Sequence, residues 1–195
     1  MTLHFTTPAP GRADGKLRMY PTRVINVIGG PGCDKSLVCA ALVVALHQRG
    51  RSIELMPDPA RALAWQQDHE ALRNQYHVAQ QQNAMLDTLD GQAQYLVTEC
   101  SLPQLLYYNE SYEPNLCDIA KTRRQILDWY RRYDNVNLLV ERSDRRYIQA
   151  GRFQDEATAR QVDRAIRGVL ARERLPYTVI AAEVEAVNAF AATLA

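Results

Sequence analysis

Lysine is scarce in this chain: Lys16, Lys35 and Lys121 are the only three in 195 residues. Positive charge is otherwise carried by arginine, so Lys35, beside a cluster of glycines, stands out. Paired cysteine motifs are lacking too. Cys33, Cys39, Cys100 and Cys117 form no CxxC unit and no His-containing zinc spacing, which argues against a structural zinc site and fits free thiols in a reducing compartment. No apolar run approaches the roughly 18 residues needed to span a bilayer. Met1 to Tyr20 lacks the basic, apolar, small-residue order of a signal peptide. A cytoplasmic protein with no membrane partner is expected. Net charge is only +1, so the whole chain lacks the electrostatic footprint of a nucleic-acid binder.

What is present points to one globular domain. A hydrophobic fraction of 47% over 195 residues suffices for a full-sized core. Residues 1–20 read as an irregular arm, and 21–195 as a single domain. Charge is uneven along it: residues 121–174 hold fourteen Lys or Arg against eight Asp or Glu. That excess suits either solvated helix faces with i,i+4 partners or a surface facing phosphates.

Hydrophobic patterning alternates between strand and helix. Short apolar, β-branched runs at 23–28, 52–56, 94–98, 136–140 and 177–181 predict five strands. Helical patterns fill 35–49, 59–67, 69–88, 118–133, 155–174 and the Ala-rich C-terminus. Leu105 to Tyr108 is a short apolar segment followed by a loop to about Cys117. Strands alternating with helices predict an α/β fold, a parallel five-stranded sheet sandwiched by helices. An Arg-rich loop, residues 142–154, follows the fourth strand and reads either as a lid over phosphates or as a solvated loop.

The principal motif joins the first strand to the first helix: Gly29, Gly30, Pro31, Gly32, Cys33, Asp34, Lys35, Ser36, followed by Leu37 in the first turn of the helix. Glycines let backbone N–H groups curl around a phosphate, and a helix N-terminus presents more N–H groups to it. A lysine reaches the β- and γ-phosphates, and a hydroxyl reaches Mg²⁺. The expected ligands are ATP and Mg²⁺. One position departs from the pattern, which has glycine where Asp34 stands. A Cβ is tolerable there if φ is helical. A carboxylate about 4 Å from a phosphate would cost on the order of 4 kcal/mol at an effective dielectric near 20. A side chain turned to solvent or toward the metal would cost little.

Carboxylates at the same sheet edge are candidates for metal and acceptor chemistry, since ligands gather at the C-terminal ends of strands. Glu99 leaves the third strand and Asp58 the second. Each also has a plain structural reading, Glu99 as a polar strand exit and Asp58 as a helix N-cap.

The set of motifs resembles the small P-loop nucleotide-kinase-like proteins of tailed bacteriophages, often labelled AAA-type ATPases. Residues 29–32 match their Gly-Gly-Pro-Gly loop, and Asp58-Pro-Ala-Arg61 matches an acidic residue ahead of Ala-Lys or Ala-Arg. Asn74-Gln75 and Gln82-Asn83 match paired amides on a long helix. Glu99-Cys100 stands where the family has Asp-Ser. Arg142, Tyr147 and Gly151-Arg152-Phe153-Gln154 match an Arg, Tyr, Gly-Arg-x-Gln series. The 5-hydroxymethyluracil DNA kinases are similar to the same group. The resemblance implies a phosphotransferase acting on a nucleotide or nucleoside-type acceptor, with DNA among the candidates, in the host cytoplasm if the chain is phage-encoded. On that reading Lys35 contacts the phosphates, and Ser36 and Glu99 hold the metal. Asp58 is the general base, and Arg142 and Arg152 stabilise charge on the transferred phosphoryl. A degenerate P-loop protein with weak nucleotide binding and a regulatory or interaction role is the alternative, and an ATPase driving a partner is a third.

Overall fold

The computed structural model describes residues 18–149 and 154–194. In chain order the elements are β1 (Arg23–Ile28), α1 (Lys35–Gln48), β2 (Ile53–Met56), α2 (Pro59–Gln66), α3 (His69–Arg73), α4 (Gln75–Leu89), β3 (Tyr95–Thr98), α5 (Leu102–Ser111), α6 (Ile119–Tyr130), β4 (Asp134–Glu141), α7 (Glu156–Arg172), β5 (Thr178–Ala181) and α8 (Val184–Thr193). The strands make one parallel sheet in the order β2-β3-β1-β4-β5. The expected α/β architecture is therefore present: a five-stranded parallel sheet with helices on both faces.

The period of two along β1 divides the core. Ile25 and Val27 face α1 and α8, packing with Val38, Leu42, Leu46 and Val187. Val24 faces the opposite layer with Leu96, Val78, Leu86, Leu105, Leu106 and Ile126. Ile28, on that same strand face, meets Val162, Ile166 and Leu170 of α7. Asn26 interrupts the apolar run yet is fully satisfied, because its amide donates to Asn135 and Asn137 Oδ1, both at 2.9 Å.

Three boundaries differ from the sequence expectation. The stretch 69–88 is two helices, since Asn74 leaves helical geometry and its Oδ1 accepts from His77 N at 2.9 Å to cap α4. Leu105 to Tyr108 lies inside helix α5, capped by Ser101 and buried on most of its surface. All-round burial removes the polar face that gives an amphipathic signature, so the pattern there is mute. The helix expected to reach Tyr133 ends at Tyr130, and β4 begins at Asp134. The basic stretch is in good part an ion-pair surface. Arg123, Arg131, Arg132, Arg142, Arg145, Arg160 and Arg172 each pair with a carboxylate.

Candidate active site

The strand order places the C-terminal ends of β2, β3, β1 and β4 side by side. The residues that follow them, Asp58, Glu99, the 29–34 loop and Arg142, gather at one sheet edge. A cavity of about 310 Å³ opens there, lined by Pro31, Gly32, Asp34, Lys35, Ser36, Leu37, Asp58 and Glu99 together with Arg61 and part of α5.

Two glycines of the loop are sterically required. A Cβ on Gly29 would lie 2.4 Å from Cys33 Sγ, and one on Gly30 would lie 2.3 Å from Asp163 Oδ1. Both backbone amides are held from outside the loop: Gly29 N donates to Gln104 Oε1 at 3.1 Å, and Gly30 N donates to Asp163 Oδ1 at 2.9 Å. Gly32 adopts φ 70°. Cys33 is buried, and burial pushes its thiol pKa up, so it is a neutral packing group. Lys35 Nζ donates to the carbonyls of Gly29 at 2.9 Å and Gly30 at 3.3 Å.

Asp34 corrects one expectation. Its backbone is left-handed, φ 64° and ψ 30°, the conformation that makes glycine the usual choice at this place in the pattern. Aspartate is among the few residues that enter this region, at a strain of about 1 kcal/mol. Although it occupies the N-cap position of α1, its side chain makes no cap hydrogen bond. The carboxylate instead accepts from Ser143 Oγ at 3.5 Å and pairs with Arg145 Nη1 at 3.4 Å, both on the β4–α7 connection. The acid beside the lysine thus carries a cation with it. No acidic side chain sits in the first turn of α1, which favours an anion at that helix start.

Ser36 and Glu99 meet directly, with Ser36 Oγ donating to Glu99 Oε1 at 2.5 Å. Arg61, from the first turn of α2, completes the group at 3.0 Å from Ser36 Oγ and 3.4 Å from Glu99 Oε1. A hydroxyl and a carboxylate are hard oxygen donors of the kind Mg²⁺ takes when water and phosphate supply the remaining ligands. Among the described residues no cluster of three or more His, Cys, Asp or Glu is placed to hold a metal alone, and the donor set here fits a metal carried with a phosphate. Asp58 caps α2, its Oδ1 accepting from Arg61 N at 3.2 Å. Burial first and the Asp58 charge second push the pKa of the Cys100 thiol well up. Burial, with the Asp58 charge adding, likewise raises the Tyr108 phenol, so both neighbours of the carboxylate remain proton donors.

Arg142 does not line the cavity. Burial works against its charge, but Asp163 outweighs this and raises its pKa. Its Nε donates to Asp163 Oδ2 at 2.6 Å, and Nη2 donates to Pro31 O at 2.7 Å. With its side chain 9% exposed, it braces the outside of the loop. Arg152 lies outside the described residues. Tyr147 OH donates to Gln154 O at 2.6 Å, and the Arg142 guanidinium lies 6.0 Å from the Tyr147 ring centre. Asp163 and Gln104 carry no local sequence signal, because each reads as an ordinary polar residue on its helix. Arg61 was visible within the Asp-Pro-Ala-Arg series without an indicated role.

The fold is shared with solved structures. NadR protein in complex with NAD and AMP-PNP superposes with a TM-score of 0.59 at 11% identity, over 87% of this chain and 49% of that one. This chain thus spans about half the length of NadR. Thymidylate kinase from Candida albicans gives 0.58 at 12% identity, over 89% and 91% of the two chains. Deoxyadenosine kinase from M. mycoides, with dCMP and dCDP bound, gives 0.54 at 14% identity, over 88% and 97%. At such identities the likeness establishes the fold, a P-loop kinase-like one. No curated protein matches the sequence. The family model described as AAA domain matches residues 24–186, from the second residue of β1 into α8, and the chain belongs to that AAA domain family.

Proposed function

We propose that the protein is an ATP-dependent phosphotransferase acting on a hydroxyl of a nucleotide-type acceptor, with 5-hydroxymethyluracil in phage DNA as the specific acceptor. The observation that carries this reading is the Ser36–Glu99–Arg61 group, which lines one cavity together with Lys35, Asp58 and residues of α5.

The residues divide the work by position. Lys35 and the amides around residues 32–37 hold the β- and γ-phosphates, and Cys33 and Leu37 pack the loop against the core. Ser36 and Glu99 hold Mg²⁺, which when bound offsets charge on the phosphate oxygens. Asp58 accepts the proton of the attacking hydroxyl, since its carboxylate lines the cavity between Arg61 and the α5 residues. Arg61 takes the role first expected of Arg142 and lies toward the transferred phosphoryl. Arg142 holds Pro31 and Asp163, and so keeps the loop in shape. Catalysis of this kind is positioning and electrostatics rather than covalent chemistry.

The test is transfer of labelled γ-phosphate from ATP, with Mg²⁺, to 5-hydroxymethyluracil-containing DNA, free nucleosides and nucleoside monophosphates. Label on an acceptor supports the proposal. Label released only to water points to an ATPase. Absence of ATP binding up to millimolar concentration, restored by Asp34→Gly, identifies a degenerate loop and ends the kinase reading.

A further inference from the structure

Arg61 closes a small ring of contacts on the cavity wall. Ser36 Oγ donates to Glu99 Oε1 at 2.5 Å and accepts from Arg61 Nη1 at 3.0 Å, while the same nitrogen lies 3.4 Å from Glu99 Oε1. The two oxygens that suit a metal are therefore both turned to one guanidinium nitrogen. A second cation on the same two atoms would lie against the guanidinium and be repelled. The arginine is also placed to let go. Its side chain is 47% exposed, and it stands on α2, none of whose residues is buried. Ala60 and Leu63 rest only partly buried against the core. A segment with so few buried apolar contacts is cheap to move.

We propose that Arg61 is a latch on Ser36 and Glu99, one that closes these oxygens to free divalent cations and yields them to a cation arriving with nucleotide phosphates. The proposal rests on the phosphotransferase reading and deepens it by fixing the order in which the site fills. The chemistry lies in an exchange of partners. Before a bare cation could bind, Arg61 would have to give up a hydroxyl and a carboxylate and receive nothing. Phosphate oxygens offer the guanidinium a replacement, since its planar fork of N–H donors matches them. Arg61 thus passes from the carboxylate to the phosphoryl group, which is how one residue serves both places.

The experiment titrates Mn²⁺, which takes the same hard oxygen ligands as Mg²⁺, into the full chain without nucleotide, the free ion being read by electron paramagnetic resonance. Arg61→Ala is expected to tighten Mn²⁺ binding by about tenfold to a hundredfold, the worth of hydrogen bonds to a charged group. Adding Glu99→Gln to that variant should remove the gain. Binding of the preformed Mn²⁺ complex of AMP-PNP should differ by less than about fivefold between the parent and Arg61→Ala, because Arg61 exchanges one set of partners for another. Equal affinity of both proteins for Mn²⁺ alone, whether measurable or too weak to detect, overturns the latch. So does a gain that survives Glu99→Gln, or a change in binding of the complex as large as that for the free ion. Should Arg61→Ala not fold, Arg61→Gln drops the charge, keeps part of the stem and is read in the same way. Nucleotide binding by the unaltered chain with no effect of Arg61 on free Mn²⁺ removes the latch and leaves the phosphotransferase reading standing, while absence of nucleotide binding removes that reading.

Discussion

Replacing Asp34 by glycine perturbs the site through two separable quantities. The first is backbone strain. A non-glycine residue at φ 64° costs about 1 kcal/mol, which Asp34→Gly relieves. For a chain of 195 residues that raises the melting temperature by roughly 2–4 °C. Loss of the Asp34–Arg145 pair subtracts little, because the two side chains are 34% and 54% exposed and exposed pairs contribute well under about 1 kcal/mol. The second quantity is charge near the phosphates. A carboxylate about 6 Å from a phosphate charge, at an effective dielectric near 20, opposes it by roughly 3 kcal/mol, and Arg145 offsets most of this. Arg145→Ala should therefore weaken binding of AMP-PNP with Mg²⁺ by between tenfold and a hundredfold. Asp34→Gly should strengthen it by roughly a hundredfold, the effect of removing about 3 kcal/mol of repulsion, and the double variant should return close to the parent. Titration calorimetry gives the affinities and a thermal melt gives the stability. All three affinity changes should shrink at about 0.5 M salt, where screening shortens to a few ångströms. An Asp34→Gly protein that melts lower, or an Arg145→Ala protein that binds as tightly as the parent, would refute this account of how the loop tolerates its acid.

Asp58→Asn should cut transfer by a factor of about 10²–10⁴ as expected for loss of a general base. ATP affinity and melting temperature should stay put, because asparagine caps a helix as well as aspartate does. Arg61→Ala should lower kcat by about 10²–10³ with a smaller effect on ATP binding, measured by single-turnover transfer. Glu99→Gln should raise the Mg²⁺ concentration needed for half-maximal activity by at least about tenfold. Asp163→Ala leaves the Arg142 charge and the Gly30 amide without their partner. It should destabilise by about 3 kcal/mol, seen as a shift in urea midpoint.

The strands and the 29–36 loop were legible because each rests on local chemistry: apolar, β-branched runs, buried on both faces in β1 and β3, and glycines ahead of a lysine and a serine. Glu99 and Asp58 followed from the rule that ligands collect where parallel strands end. Other features could not be read along the chain. Whether Arg142 faced a phosphate or a carboxylate depended on Asp163, twenty-one residues on and about two turns into α7. The left-handed φ of Asp34 was hidden because aspartate is also a good N-cap, so its identity fitted a right-handed start equally well. Helix α5 was obscured by its own burial, and with it Gln104.

On the phosphotransferase reading, helix α5 reaches both the loop and the acceptor side of the cavity. Gln104 holds the Gly29 amide, while its neighbour Leu105, and Tyr108 and Tyr112 about one and two turns on, line the cavity. A guest that displaces α5 drags the loop with it, so occupancy on one side is felt on the other. Under the proposed function, thermodynamic reciprocity then makes nucleotide and acceptor alter each other's affinity by one common factor, set by this single strut.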